Sequence, residues 1–340
     1  MKNDLYYFDL PQELIAQTPA KPRDSARLLV YDTGSGNISD KFVYDLPDIL
    51  PKQSTVVVNN SKVNHCRWLF ESGKTELFVI EKSSPNIIRA LARPGRKFKV
   101  GSLVCLNNWL TAKVLAIDSD GIRTLELNLP HTDIRIKKIE HIPLPPYIAQ
   151  NDNLAEEYQT VFAKKSGSVA APTAGLHFTE KLLHNIKERH DFAEITLHVG
   201  LGTFAKLTEK NIETGKLHSE HCEINAETAD ILNRSSHITA VGTTTARTLE
   251  TMLSNSDNFV SDNIQTDIFI RPGYRFKAVD SLITNFHLPS TSLLMLVAAF
   301  ISDKKDLPEH IAISELQRIY AHAINQKYRF YSFGDAMIVI

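Results

Sequence analysis

The chain has 340 residues, 43% of them hydrophobic and 23% charged, with a formal net charge of −1; this is the composition of a soluble folded protein, long enough for two domains. No run of about 18 apolar residues is available to cross a bilayer, and the N-terminus MKNDLYYFDLPQELIAQ has acidic residues where a signal peptide needs a cationic start and an apolar centre, so a cytoplasmic protein is expected. Cys66, Cys105 and Cys222 are odd in number and far apart, which argues against a disulfide framework and against a zinc knuckle.

In chain order, the first 60 residues hold a capped-looking segment at Asp9–Glu13 and a strand, ARLLVYD. From about residue 55 to 140 short β-branched runs recur, among them STVVVNN, TELFVIEK, IIRALAR, AKVLAID and IRTLELNL. They are separated by Gly, Pro, Asn or Asp and predict a small antiparallel β-barrel or sheet. The proline connector PLPPYIAQND follows, and strand-like runs then alternate with helical periods to the C-terminus, which predicts an α/β layered domain. The opening segment resembles this later half more than the middle. The expected organisation is therefore a discontinuous α/β catalytic domain, 1–63 and 150–340, with a β-barrel domain inserted at 64–149; a plain tandem of two domains is the alternative.

Charge is unevenly shared. Between Cys66 and Ala149 stand 13 Lys and Arg against 8 Asp and Glu, a surplus of 5, which leaves −6 for the remainder. Within that section RALARPGRKFK places Arg89, Arg93, Arg96, Lys97 and Lys99 together with no acid among them. Such a cluster can neutralise phosphates in a salt-dependent way, although a solvated loop face would read the same.

Four strings share one grammar, a strand, then small or hydroxyl residues, then a helix start. They are SVAAPTAGLHFTEKLLHNIKERH, LHVGLGTF, AVGTTTARTLE and ITNFHLPSTSLLML. A helix N-terminus offers unpaired N–H groups and partial positive charge, small residues let a ligand approach the backbone, and in an open α/β sheet such turns gather at the carboxyl edge. Any one of them is equally an ordinary cap or turn, and the dinucleotide fingerprint is absent. His177, His198 and His287 sit at corresponding places and are candidate acid–base groups. HSEHCE, His218 to Glu223, has alternate spacing unlike a familiar zinc site, so no metal is expected. In YRFYSFGDAMIVI two readings stand equal: Arg329 and Asp335 form a structural pair, or Tyr331 or Phe333 stacks on a base and Asp335 accepts from an amino group or ribose hydroxyl.

These strings, with YQTVFAKKSGSVAAPTAGLHFT, FIRPGYRFKAVDSLITNFHLPSTSLLMLVAAF and FDLPQELIAQTPAKPRDSARLLV, closely resemble the S-adenosylmethionine:tRNA ribosyltransferase-isomerases of the queuosine pathway, from Phe8 to the C-terminus. The resemblance implies an α/β domain with a smaller β-barrel. It also implies an enzyme that uses S-adenosylmethionine as co-substrate, with no prosthetic group, and moves its ribosyl moiety onto 7-aminomethyl-7-deazaguanine at the tRNA wobble position. The product would be epoxyqueuosine-tRNA, with release of adenine and methionine. On this reading His177, His198, His287 and Asp335 are candidate catalytic residues. Thr173, Gly175, Gly200, Gly202, Thr243, Thr244, Thr245 and Arg247 are candidates to bind the donor, and Arg89, Arg93, Arg96, Lys97 and Lys99 to bind RNA. A monomer is expected, with neither membrane nor metal as partner. Two departures stand out: Asn60 occupies a position where the family commonly has Asp, and Ala205 one that is frequently basic. They leave two competing readings, a tRNA-binding homologue with altered or lost transferase activity, and another S-adenosylmethionine-dependent enzyme such as a methyltransferase.

Overall fold

The structure is a computed structural model that describes residues 3–148, 151–200, 202, 207–254 and 256–340. The chain divides into two compact units, one of Met1–Lys62, Pro145–Ala149 and Glu156–Ile340, the other of Val63–Leu144 and Gln150–Ala155.

The large unit is built on a mixed nine-stranded sheet. Ser54–Asn59 lies inside it, flanked by parallel partners Asp191–Leu197 and His237–Val241. His237–Val241 pairs in parallel with Ser281–Asn285, which pairs antiparallel with Ala336–Val339. Arg27–Tyr31 and Ile38–Phe42 complete that side; Lys216–Ile224 and Asp262–Ile268 extend the other side antiparallel. All six residues of Ser54–Asn59 are buried, and the continuous β-branched run STVVVN suits a strand covered on both faces. Alternation divides its neighbours between two cores. Val57 packs in one with Leu29, Ile195, Ala240 and Leu282; Val56 and Val58 pack in the other with Leu28, Val30 and Ile283. The helix Ser292–Lys304 is buried around most of its circumference, as expected for so apolar a segment, and Thr291 caps it by accepting from Leu294 N at 3.4 Å.

The small unit is a seven-stranded antiparallel sheet in the spatial order Glu140–His141, Arg67–Phe70, Thr75–Ser84, Ile87–Arg93, Arg123–Leu127, Thr111–Ile117, Leu103–Cys105. Among the described residues its first and last strands do not pair with each other, so the antiparallel barrel or sheet expected from sequence is an open half-barrel. The terminal strands are two and three residues long, which leaves few ladder groups to zip the edges together. Trp68, Leu77, Ile88, Phe98 and Leu125 fill its core.

Candidate active site

The parallel strands Ser54–Asn59, Asp191–Leu197, His237–Val241 and Ser281–Asn285 end on the same edge of the large sheet, and the turns after three of them wall a cavity of about 640 Å³. This is the size of a small-molecule or cofactor site, in the place where open α/β sheets bind ligands. All of its lining residues belong to the large unit.

Arg247 lies on the cavity wall, on the helix Thr243–Ser254. It is 8% exposed and meets the equally buried Glu220, from the strand Lys216–Ile224, in a short ion pair through Nη1. Nε of Arg247 donates to Ile268 O at 3.3 Å, while Nη2 is buried with no partner among the described residues. The second Glu220 oxygen, Oε1, accepts from Gly200 N at 2.9 Å. A buried guanidinium is tolerable only when paired, and this pairing leaves Nη2 as a buried donor without a partner among the described residues. Thr243 and Thr244 line the wall beside it.

Across the cavity edge, Thr173, Asn285 and His287 contribute. Thr173 donates to Asn285 Oδ1 at 2.7 Å, and Asn285 Nδ2 and His177 Nε2 share a hydrogen bond at 3.1 Å. His287 Nε2 lies 2.8 Å from Thr284 Oγ1, and its backbone N donates to the Tyr320 hydroxyl at 3.0 Å. Burial pushes the His287 imidazole down to about 3; burial, reinforced by the Arg329 and Arg23 charges, does the same to His177. Both rings are neutral at pH 7. The third side of the cavity is aromatic, with Tyr147, Tyr158 and Tyr331.

The structure thus brings together Thr173, Gly202, Thr243, Thr244, Arg247 and His287 and sets the other candidates apart. His177 stands behind Asn285 and does not line the cavity; with its lowered basicity it is a poor proton acceptor at neutral pH. His198 does not line it either. Its ring packs against Gly167, where an added Cβ would lie 2.5 Å from Nδ1, and it stacks on His221 with centroids 5.7 Å apart. Burial lowers its basicity as well. Asp335 is consumed by the backbone: Oδ1 accepts from Arg27 N at 3.0 Å and Oδ2 from Arg329 N at 2.8 Å. Gly175 allows close packing, not ligand approach, since a Cβ there would come 2.5 Å from Phe162 Cζ. Gly200 acts through its N–H on Glu220. Thr245 donates to the O of Val241, the last residue of the preceding strand, at 2.7 Å and is fully buried, because it points one hundred degrees away from Thr244 around the axis.

Glu220 is the residue that sequence reasoning missed. It lies in HSEHCE, and the alternate spacing that disqualified a zinc site is the strand period. His218 and Glu220 face the cavity, while His221 stacks on His198 and Glu223 pairs with Lys165 at 2.6 Å. Among the described residues no group of three His, Cys, Asp or Glu is placed to hold a metal.

The two departures have different outcomes. Asn60 does not line the cavity; its Nδ2 donates to Glu194 Oε2 at 3.1 Å and its Oδ1 accepts from Thr196 at 2.8 Å. An amide suits a place beside a carboxylate, where Asp would face Glu194 charge to charge. Ala205 lies outside the described residues.

Comparison with known proteins fits this architecture. A family model described as queuosine biosynthesis protein matches residues 3–339. The chain is 42% identical over 352 residues to a Staphylococcus saprophyticus protein named S-adenosylmethionine:tRNA ribosyltransferase-isomerase, and 40% identical over 350 residues to one so named from Clostridioides difficile; 100% of each chain is covered in both cases. The crystal structure of a Thermotoga maritima protein titled S-adenosylmethionine tRNA ribosyltransferase matches with a TM-score of 0.54 and 34% identity, over 99% of this chain and 100% of that one. The chain belongs to the queuosine biosynthesis protein family.

Proposed function

We propose that this protein is an S-adenosylmethionine:tRNA ribosyltransferase-isomerase. It transfers and isomerises the ribosyl moiety of the donor onto 7-aminomethyl-7-deazaguanine in tRNA and releases adenine and methionine. The observation that carries this reading is the match of relatives so named over the entire chain. The donor is a co-substrate consumed at each turnover. Its sulfonium acidifies the adjoining 5′ carbon, and loss of that proton starts ring opening with expulsion of adenine.

The cavity supports a distribution of roles. The Arg247 guanidinium, on the cavity wall, draws the carboxylate of the methionine portion to that end, and the Thr243 and Thr244 hydroxyls bond to the donor beside it. The neutral His287 accepts from a ribose hydroxyl; a ring with so low a basicity is not the group that stores the abstracted proton. The large unit, residues 1–62, 145–149 and 156–340, acts as an α/β layered catalytic domain, the basic cluster Arg89–Lys99 of the small unit carries the surface for tRNA, and the protein works in the cytoplasm as a monomer.

Incubation with tRNA bearing the precursor base and labelled donor tests the reading. Adenine and methionine in equal amounts are expected. S-adenosylhomocysteine would identify a methyltransferase instead, and salt-sensitive tRNA binding with no product a binding protein.

A further inference from the structure

The aromatic side of the cavity is built more firmly than packing alone requires. Tyr331 is 8% exposed and its backbone lies in the left-handed region at φ 72°. For a bulky side chain that conformation costs about 1–2 kcal/mol, and Gly or Asn would occupy it with less strain. The conformation is held by Tyr331 N donating to Phe286 O at 3.1 Å and by Gly334 N donating to Tyr331 O at 2.9 Å. The ring faces Tyr147 at a centroid distance of 4.3 Å and a tilt of 33°. Tyr147 is in turn fixed by a 2.6 Å hydrogen bond shared with Ser332, and Tyr158 closes the wall edge-on to Phe333. The Tyr331 hydroxyl has no hydrogen-bond partner among the described residues, although the ring lines the cavity.

Strand order locates this wall relative to Arg247. The helix bearing Arg247 follows His237–Val241, and Tyr331 precedes Ala336–Val339, with Ser281–Asn285 between them. Two strand spacings separate the two ends, roughly 10 Å. Asn285 and His287 occupy the interval. A ligand stretched along the sheet edge from an anion-binding end to an aromatic end would therefore present its middle to amide and imidazole.

We propose that the Tyr147–Tyr331 wall is the subsite for the adenine ring of the sulfonium donor, whose carboxylate lies at Arg247. Tyr331 sets base specificity by stacking and by a hydrogen bond from its hydroxyl. The assignment deepens the proposed function and rests on it for the identity of the donor.

Equilibrium dialysis with labelled S-adenosylmethionine, adenosine and methionine tests it without requiring turnover. Tyr331→Asn, which suits the left-handed backbone, is expected to weaken S-adenosylmethionine and adenosine about ten-fold or more and to leave methionine unaffected; Tyr331→Phe keeps most of the stacking and loses less. Tyr147→Leu, which alters no strained backbone, guards against misfolding and is expected to give the same pattern. Unchanged adenosine and S-adenosylmethionine binding in both Tyr331→Asn and Tyr147→Leu would overturn the proposal. So would a rise confined to the KM for tRNA carrying the precursor base, which would assign the wall to the acceptor. A wild-type protein that binds adenosine through this wall yet releases no adenine from donor and tRNA would refute the reaction and leave the subsite standing.

Discussion

Glu220 and Arg247, 27 residues apart in sequence and drawn from a strand of the large sheet and a helix, meet in a buried ion pair on the cavity wall. Each explains the other: the guanidinium is inside only because a carboxylate answers it, and the carboxylate is held by Gly200 N on its other oxygen.

Removing one partner exposes that dependence. Arg247→Ala leaves a buried carboxylate without its counter-charge and is expected to destabilise the fold by about 3–5 kcal/mol in urea titration. Arg247→Lys keeps the charge but not the planar fork. It should fold, and its KM for the donor should rise about ten-fold or more, with a smaller change in kcat.

Acid should unfold the protein through its buried histidines. His177 and His287 have folded pKa values near 3 against about 6.5 when unfolded. Below pH 6.5 the unfolded chain takes up protons that the folded chain refuses, so stability is full above that pH and falls as pH drops from 6.5 towards 3. The slope reaches about 1.4 kcal/mol per pH unit for each ring. Denaturation midpoints measured between pH 7 and 4 should show it, and His177→Gln should flatten it if the variant keeps the bond to Asn285.

Asn60→Asp restores the residue common in the family and should be harmful here. It places a carboxylate where Asn60 now donates to Glu194. A loss of about 1–3 kcal/mol at pH 7 is expected, with recovery in the Asn60→Asp, Glu194→Gln double variant. Donor affinity should not change, because Asn60 is not on the cavity wall.

The basic cluster divides by its partners. Arg89 is paired with Glu81 and Asp118, and Lys97 with Glu71; Arg93, Arg96 and Lys99 are exposed with no ion pair among the described residues. Reversing Arg93 and Arg96 to Glu should weaken tRNA binding and lower the salt slope by about one per lost phosphate contact. Arg89→Glu should do less. Unchanged affinity in all of them would make the cluster a solvated face.

Gly175→Ala tests packing against binding. The new methyl would meet Phe162 at 2.5 Å, so a stability loss of about 1–3 kcal/mol is expected in thermal or chemical unfolding, with donor affinity per folded molecule unchanged.

Local pattern was enough to read much of this protein. STVVVN announced a strand, although its pattern groups it with the β-rich middle and it stands in the large sheet; ITAVGTTTARTLE announced a strand running into a helix, and the ordered strings from Phe8 onward a family. These signals are legible because strand and helix periods are properties of neighbouring residues. Which side chains converge is a property of the sheet's order and pleat, and no local pattern contains it. His177 and His287 look alike in sequence, both among apolar neighbours beside a helix, yet only His287 reaches the cavity. Gly175 and Gly202 look alike too, but one admits Phe162 and the other lies on the cavity wall beside His218. Glu220 was hidden in a run that resembled ligand chemistry, and only pairing across the sheet gave it Arg247 as its counter-charge. The sequence by itself determined the elements and the family; tertiary structure alone decided the wall of the site, because burial and charge pairing are settled between segments far apart along the chain.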